Sequence, residues 1–384
     1  MAGADPVIGM VAGEPSGDLL AAPVIAALHA RAPGLRVAGV GGPRMLAQGF
    51  DAWYPMQKLA VNGYADVLRH LPELLGIRAD LRRRWLAEPP AAFVGVDAPD
   101  FNFTLEHALR AAGIPTVHFI GPSLWAWRGE RIHRIREAVS HMLVVFPFEA
   151  KIYQDAGVPV TYIGHPLAGV IPREPDRAAA RRRLGIDSSQ RVLALMPGSR
   201  AGEIAHLAPR FLEAGRLLQR RDPGLQLWAP MAGAERQRQF EACAARLGGM
   251  AGLHVVAGGS QDVLAACDAV LVASGTATLE AALFKRPMVI SYVLPRLSYW
   301  IMRRKAYLPW VGLPNVLCRE FVVPELLQDA ATPQALADAA WQALTDERRN
   351  RELVLRFTAL HDELVRDTPA LASNAILEVA GHGG

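Results

Sequence analysis

Three short stretches of this chain combine residue types suited to transferring a group from a phosphate-bearing donor. In the first, the apolar run Ala269–Ala273 leads into Ser274-Gly275-Thr276, and a helical pattern follows through Glu280 and Phe284. A small-residue turn entering a helix leaves backbone N–H groups at the positive end of the helix dipole, where a diphosphate can sit. Glu280 falls just over one turn into that helix, at a position suited to accept from a ribose diol. An ordinary capped helix accounts for the same residues equally well. In the second stretch, Val96-Asp97-Ala98-Pro99-Asp100-Phe101-Asn102, two acids and an amide cluster at the end of another apolar run. A carboxylate there can take a proton from an attacking hydroxyl. Asp97 is the first candidate for that base; Asp100 serves as readily to cap the following helix. In the third, Pro197-Gly198-Ser199-Arg200, the Gly and Ser shape a turn after a strand-like run. Arg200 then either pairs with a phosphate or lies on the surface beside a capped helix.

Weaker signals surround these. Ala12-Gly13-Glu14-Pro15-Ser16-Gly17-Asp18 reads as a loop whose glycines allow close backbone approach, with Glu14 facing a ligand and Ser16 or Asp18 capping the next helix. It is not the G-x-G-x-x-G pattern, so no dinucleotide cofactor is expected. In Ser123-Leu124-Trp125-Ala126-Trp127-Arg128, two tryptophans stand near Arg131 and Arg134. They suit a sugar or phosphate platform or an interface anchor, while partial core packing suits one of them as well. Gly312-Leu313-Pro314-Asn315 alone is only a turn, and His165 at the end of the first half reads as structural. No Asp-x-Asp triplet occurs, and Cys243, Cys267 and Cys318 are scattered, so neither a metal site nor a disulfide framework is expected.

The elements that must position these residues alternate. Runs at 7–12, 36–40, 92–96, 116–120, 142–145 and 161–163 read as strands of a first half. Runs at 192–196, 225–228, 254–256, 269–273 and 288–292 read as strands of a second half. Helical patterns separate them, which predicts βα units and mostly parallel sheets. The expected fold is α/β: two Rossmann-like domains, 1–170 and 191–345, facing a central cleft. A polar, Pro-containing segment at 171–190 links them, and helices at 346–384 pack back on the first domain or on a partner such as a second copy of the chain. Every motif above lies just after a predicted strand, where open α/β sheets bind ligands.

At 384 residues the chain suits two cores, and 51% apolar with 20% charged residues excludes a disordered chain. The net charge of +4, carried almost wholly by Arg, fits phosphate-bearing ligands or an anionic membrane surface. It is too small and too dispersed for nucleic acid. No signal-peptide pattern or membrane-spanning run is expected, which points to a cytoplasmic protein. Two segments mix apolar and basic residues in the manner of interfacial helices: 61–85, with Leu68, Leu71, Leu74, Leu75 and Ile77 beside Arg78, Arg82, Arg83 and Arg84, and 297–305, with Trp300 beside Arg303 and Arg304. Core-facing helices with solvated basic faces account for both as well.

Taken together, the ordered motifs resemble the lipid-A-disaccharide synthase family. They are Ala12-Gly13-Glu14 with Ser16-Gly17-Asp18, Gly42-Pro43-Arg44-Met45, the Asp97–Asn102 stretch, Pro122–Trp127, Pro147-Phe148-Glu149, Pro197–Arg200, Ala273–Ala277 and Leu313-Pro314-Asn315, in order from about residue 8 to 330. The resemblance implies a GT-B glycosyltransferase joining UDP-2,3-diacylglucosamine to 2,3-diacylglucosamine 1-phosphate (lipid X), giving a β-1,6 disaccharide 1-phosphate and UDP. It implies peripheral attachment at the cytoplasmic face of the inner membrane, with no cofactor and no nucleic acid. Asp97 would be the catalytic base. Ser199 and Arg200 would contact the donor phosphates, Ser274, Gly275, Thr276 and Glu280 would hold UDP, and Asn315 would belong to the nucleotide site. Glu14, Ser16, Asp100, Asn102, Ser123, Trp125 and Trp127 would line the acceptor side. Asn62 stands where an apolar residue is expected. Neighbouring alternatives are another UDP-sugar GT-B enzyme (a muramyl-pathway transferase or a UDP-sugar epimerase) and a non-catalytic nucleotide-sugar sensor.

Overall fold

The computed structural model describes residues 6–59, 64–126, 129–305 and 307–381. The chain forms two compact units: residues 1–169 with 364–384, and residues 170–363.

Unit 1 contains seven strands: β1 (Val7–Ala12), β2 (Arg36–Gly41), β3 (Asp51–Pro55), β4 (Ala92–Val96), β5 (Thr116–Phe119), β6 (His141–Val144) and β7 (Val160–Tyr162). They lie in the order β3-β2-β1-β4-β5-β6-β7, all pairs parallel. Unit 2 contains β8 (Val192–Met196), β9 (Gln226–Met231), β10 (Leu253–Ala257), β11 (Ala269–Ala273), β12 (Met288–Tyr292) and β13 (Glu325–Leu327), in the parallel order β10-β9-β8-β11-β12-β13. The central strands β1, β4, β8 and β11 are covered on both faces and are buried nearly throughout. That is why each shows as an unbroken apolar run.

The two strands missing from the sequence expectation, β3 and β13, are both edge strands and largely half-buried. One solvated side breaks the apolar run that marks a central strand. The polar segment expected to join the halves carries the helix Arg177–Leu184, capped by Asp176, which accepts from Ala179 N at 2.8 Å, and closed by Gly185. It lies in unit 2. The final helix, Thr368–Val379, lies in unit 1 against the helix Pro15–Arg31; Arg31 Nε donates to Asn374 Oδ1 at 2.7 Å, and Thr368 Oγ1 to the Ile163 carbonyl at 2.8 Å.

In each sheet the chain leaves a central strand first to one side and later to the other. These reversals fall between β1 and β4 and between β8 and β11. Loops at the carboxyl ends of the strands splay apart there and leave room for a ligand. In the first sheet the loops are 13–14 and 97–98; in the second they are 197–200 and 274–275.

Candidate active site

Asp97 follows β4 with φ of 52°, and Ala98 with φ of 45°. Two consecutive non-glycine residues in the left-handed region cost roughly 1–3 kcal/mol each and persist only where the surroundings hold them. Two bonds do so: Asp97 N donates to the Phe119 carbonyl at 2.9 Å, and Asn102 Nδ2 donates to the Asp97 carbonyl at 2.8 Å. The half-buried Asp97 carboxylate itself has no hydrogen bond or ion pair among the described residues, so it is available to accept a proton. Gly13, at the end of β1, packs closely on Leu59 and Ala98, which sets the Glu14 and Ser16 loop beside Asp97.

The other acceptor-side candidates divide. Glu14, Ser16 and Ser123 are exposed. Asp100 is also exposed and lies 3.5 Å from Arg131. Asn102 is fully buried and positions the Asp97 backbone rather than facing a ligand. Trp125 is half-buried and donates to Glu149 at 3.2 Å; Trp127 lies outside the described residues. The expected side-chain cap on the helix Pro15–Arg31 is absent. Asp18 instead turns to the next motif and accepts from Arg44 N at 3.1 Å and Met45 N at 2.9 Å, because those orphan amides, part-buried and buried, need an acceptor. His165 is structural: its Nδ1 accepts from Leu167 N, and burial lowers its pKa to about 4, leaving it neutral.

Beneath the Asp97 loop lies a buried pair that the sequence does not announce. Glu106 Oε1 sits 2.7 Å from His118 Nδ1, both fully buried, with Phe103 stacked on the imidazole. A methyl group on Gly95 would collide with Glu106 Oε1 and press on Asn102. Gly95→Ala should therefore lower unfolding stability by about 1–3 kcal/mol, as overpacking does, and reduce turnover as well, because Asn102 holds Asp97. Denaturant melts and rates on the same preparation would check both effects.

Glu149 is the second buried acid. Its Oε2 accepts from Phe146 N at 3.1 Å and its Oε1 from Trp125, yet burial raises its pKa to about 7. A raised pKa means the fold prefers the protonated form. Stability is therefore greatest below the ordinary value of 4.5 and is lost as pH rises to about 7, by about 3 kcal/mol at ~1.4 kcal/mol per unit. Glu149→Gln should remove most of that slope; melting temperatures from pH 4.5 to 8 would check it.

In unit 2, Ser274 Oγ donates to the Val311 carbonyl at 2.7 Å, so the hydroxyl anchors the loop. Gly275 and Thr276 are exposed, and the helix Thr276–Leu283 has no side-chain cap, which leaves its leading N–H groups for a ligand. Glu280 is partly buried, its carboxylate has no hydrogen-bond partner among the described residues, and burial raises its pKa. Because β8 and β11 are neighbours, Arg200 lies at the same end of the sheet as this loop. The Arg200 guanidinium is 81% exposed and held by Glu203 at 3.1 Å. The backbone amides of Ser199 and Arg200 both donate to Glu203 Oε2, at 3.0 and 3.1 Å. The Ser199 amide is thus taken, while its exposed hydroxyl and the Arg200 guanidinium lie at the surface of the loop. Gly198 has φ of 113° and packs on the Glu203 side chain, so the loop needs glycine there.

Asn315 also departs from a direct ligand role. It is fully buried and donates to the Val323 carbonyl and Glu325 Oε1, at 2.9 and 2.8 Å, while accepting from Val323 N at 3.0 Å. Glu325 in turn accepts from Val311 N and Gly312 N, each at 2.9 Å. The pair holds the backbone that receives Ser274. Glu203 and Glu325 were missed by sequence reasoning; Glu203, three residues past a helix start, had a capping signal, and Glu325 had none.

The family model described as lipid-A-disaccharide synthetase matches residues 8–376. The chain belongs to the lipid-A-disaccharide synthase family. A lipid-A-disaccharide synthase of Bordetella parapertussis is 62% identical, covering 97% of this chain and 98% of its own. One from Paraburkholderia phymatum is 52% identical, covering 97% and 96%. Identity at this level over the whole chain carries the activity with it: this is a glycosyltransferase that forms the lipid A disaccharide. Among solved structures, a Staphylococcus aureus MnaA–UDP co-structure superposes with a TM-score of 0.68, covering 98% of this chain and 97% of its own at 13% identity. WaaG, a glycosyltransferase involved in lipopolysaccharide biosynthesis, does so at 0.59, covering 98% and 100% at 14% identity. These share the two-domain GT-B fold of the family.

Proposed function

We propose that the enzyme joins UDP-2,3-diacylglucosamine to lipid X with inversion, giving the β-1,6 disaccharide 1-phosphate and UDP. The observation that carries the mechanism is Asp97, a carboxylate with no hydrogen-bond or ion-pair partner among the described residues, on a strained loop at the reversal of the first sheet. Asp97 takes the proton of the acceptor 6-hydroxyl as that oxygen attacks the donor anomeric carbon. The bond from the anomeric carbon to the diphosphate breaks, and the α-linked donor becomes a β product. Charge growing on UDP is met by the backbone amides at 275–276 and by Arg200. Glu280 accepts from the ribose diol. Asn102, Glu203, Asn315 and Glu325 hold these loops in place.

The test is product analysis by mass spectrometry, with both substrates in detergent and EDTA present. Disaccharide 1-phosphate with stoichiometric UDP is the expected result. UDP binding without product would overturn the acceptor assignment.

No helix among the described residues is long and apolar enough to cross a membrane. We infer peripheral attachment at the cytoplasmic face of the inner membrane. Within the helix Tyr64–Ala87, Ile77, Leu81 and Trp85 face the core, whereas Leu71 and Leu75, one turn apart, are 40% and 45% exposed. Arg82 and Arg83 are exposed on the same helix. Trp300 is 51% exposed under Arg304, 3.6 Å from its ring centroid. Apolar anchors beside cations suit an anionic surface. Replacing Leu71 and Leu75 by Ser should lower binding to phosphatidylglycerol vesicles about tenfold or more, since inserting the exposed part of each leucine is worth ~0.7 kcal/mol or more. Vesicle flotation with unchanged binding would remove this helix from the contact.

A further inference from the structure

Unit 2 carries a cavity of about 570 Å³ that the transfer reaction does not use. Its lining includes Asp268 and Pro287, which immediately precede β11 and β12, so it opens at the amino ends of those strands. The Ser274 loop leaves from the carboxyl end of β11. The five residues of that strand, at ~3.3 Å each, set the two places about 16 Å apart.

The charges around this cavity are unbalanced toward the positive. Lys285, Arg286 and Arg351 line it. Of its two carboxylates, Asp268 already accepts from Arg177, from Arg181 Nη2 at 2.9 Å and from Val192 N at 2.8 Å. Glu347 lies at the rim, 87% exposed, 3.4 Å from Arg351.

Arg286 is the informative residue. Its Nη2 donates to the Ala265 carbonyl at 3.1 Å, but its Nε is buried with no partner, and no carboxylate among the described residues pairs with it. Burial disfavours its charge and lowers its pKa. Arg286 as a whole is partly buried, whereas Lys285 is buried, with Nζ 2.6 Å from both the Leu283 carbonyl and His361 Nδ1, and burial lowers its pKa to about 8. Asp268 lies near enough to Arg286 to favour its charge but makes no direct pair with it, and a largely desolvated guanidinium lacking such a pair is costly unless an anion joins it. A guanidinium also presents a donor fork that matches phosphate.

We propose that this cavity binds a phosphate-bearing anion, held by Arg286 with Lys285 and Arg351 as its further cations. Val354 and Leu355, 40% and 72% exposed, border the same cavity and offer an apolar margin. The shared chemistry is a phosphate, free in solution or on a lipid headgroup.

The test uses the full-length protein with saturating UDP, so that the nucleotide site is blocked. Inorganic phosphate is titrated and followed by ³¹P line broadening, and binding to phosphatidic acid vesicles is measured by flotation. Binding of inorganic phosphate identifies a free anion as sufficient. Vesicle binding without it identifies a lipid phosphate. In either case the affinity should fall about tenfold in Arg351→Ala, whose side chain is exposed, and further in Arg286→Gln, with UDP affinity unchanged. If Arg286→Gln does not fold, Arg351→Ala alone decides. Absence of both kinds of binding, or affinities unaltered in the variants, would overturn the proposal.

Discussion

Asp97→Asn is expected to cut turnover by about a hundredfold to ten-thousandfold, the range for loss of a general base, with UDP affinity unchanged. The substitution is a clean test because of where the residue sits. Asp97 has φ of 52°, a conformation that asparagine tolerates better than most residues, so the loop should keep its shape. The bonds that hold it, from Asp97 N to Phe119 and from Asn102 to the Asp97 carbonyl, involve the backbone and survive the exchange. Among the described residues the carboxylate has no partner whose loss would complicate the result. Single-turnover rates with bound donor would measure the chemical step. Turnover within about tenfold of the parent would remove Asp97 from the role of base and return attention to Glu14 and Asp100, the exposed acids of the same sheet end.

The second large effect is expected at Glu280. A carboxylate accepting from a ribose diol makes charge-assisted bonds, and losing them should cost about 2–3 kcal/mol, a rise of roughly 30- to 150-fold in donor KM. Glu280→Ala should show that rise with kcat changed far less, since the ribose is remote from the reacting carbon. Burial raises the Glu280 pKa above its ordinary 4.5, and only the ionised form accepts both bonds. Donor binding should therefore weaken as pH falls toward that raised value, earlier than an exposed glutamate would allow, and Glu280→Gln should flatten the dependence. Isothermal titration of UDP from pH 5 to 8 would measure it. Equal affinities for the parent and Glu280→Ala would exclude the ribose contact.

The parts of this molecule legible in the chain were those set by local physics. Central strands of a parallel sheet are buried on both faces, so β1, β4, β8, β11 and β12 stand out as short apolar runs, and the segments following β1, β4, β8 and β11 hold the site candidates. The edge strands β3 and β13 did not, because half of their surface is solvated. The Ser274 turn and the helix beyond it were likewise legible, since small residues and the following helical pattern are local signals; that the helix start has no side-chain cap is a finding of the structure.

What distinguishes a ligand-facing residue from a structural one was not local. Asp18 and Asn315 have the same chemistry as Asp97 and a free amide, yet Asp18 is taken by amides 26 and 27 residues away, and Asn315 by Val323 and Glu325. The Ser199 amide is likewise taken, by Glu203, a pairing that depends on how the loop folds back on the helix start. The buried pair of Glu106 and His118, with Asn102 beside it, depends on β4 and β5 lying side by side. The sequence alone determined which residues could do chemistry and that they follow parallel strands, because side-chain type and hydrophobic period are properties of the chain. Only the tertiary structure decided which of them remain available. Hydrogen-bond partners are allotted by strand order and crossover, and a buried polar group takes whatever donor or acceptor that order brings to it.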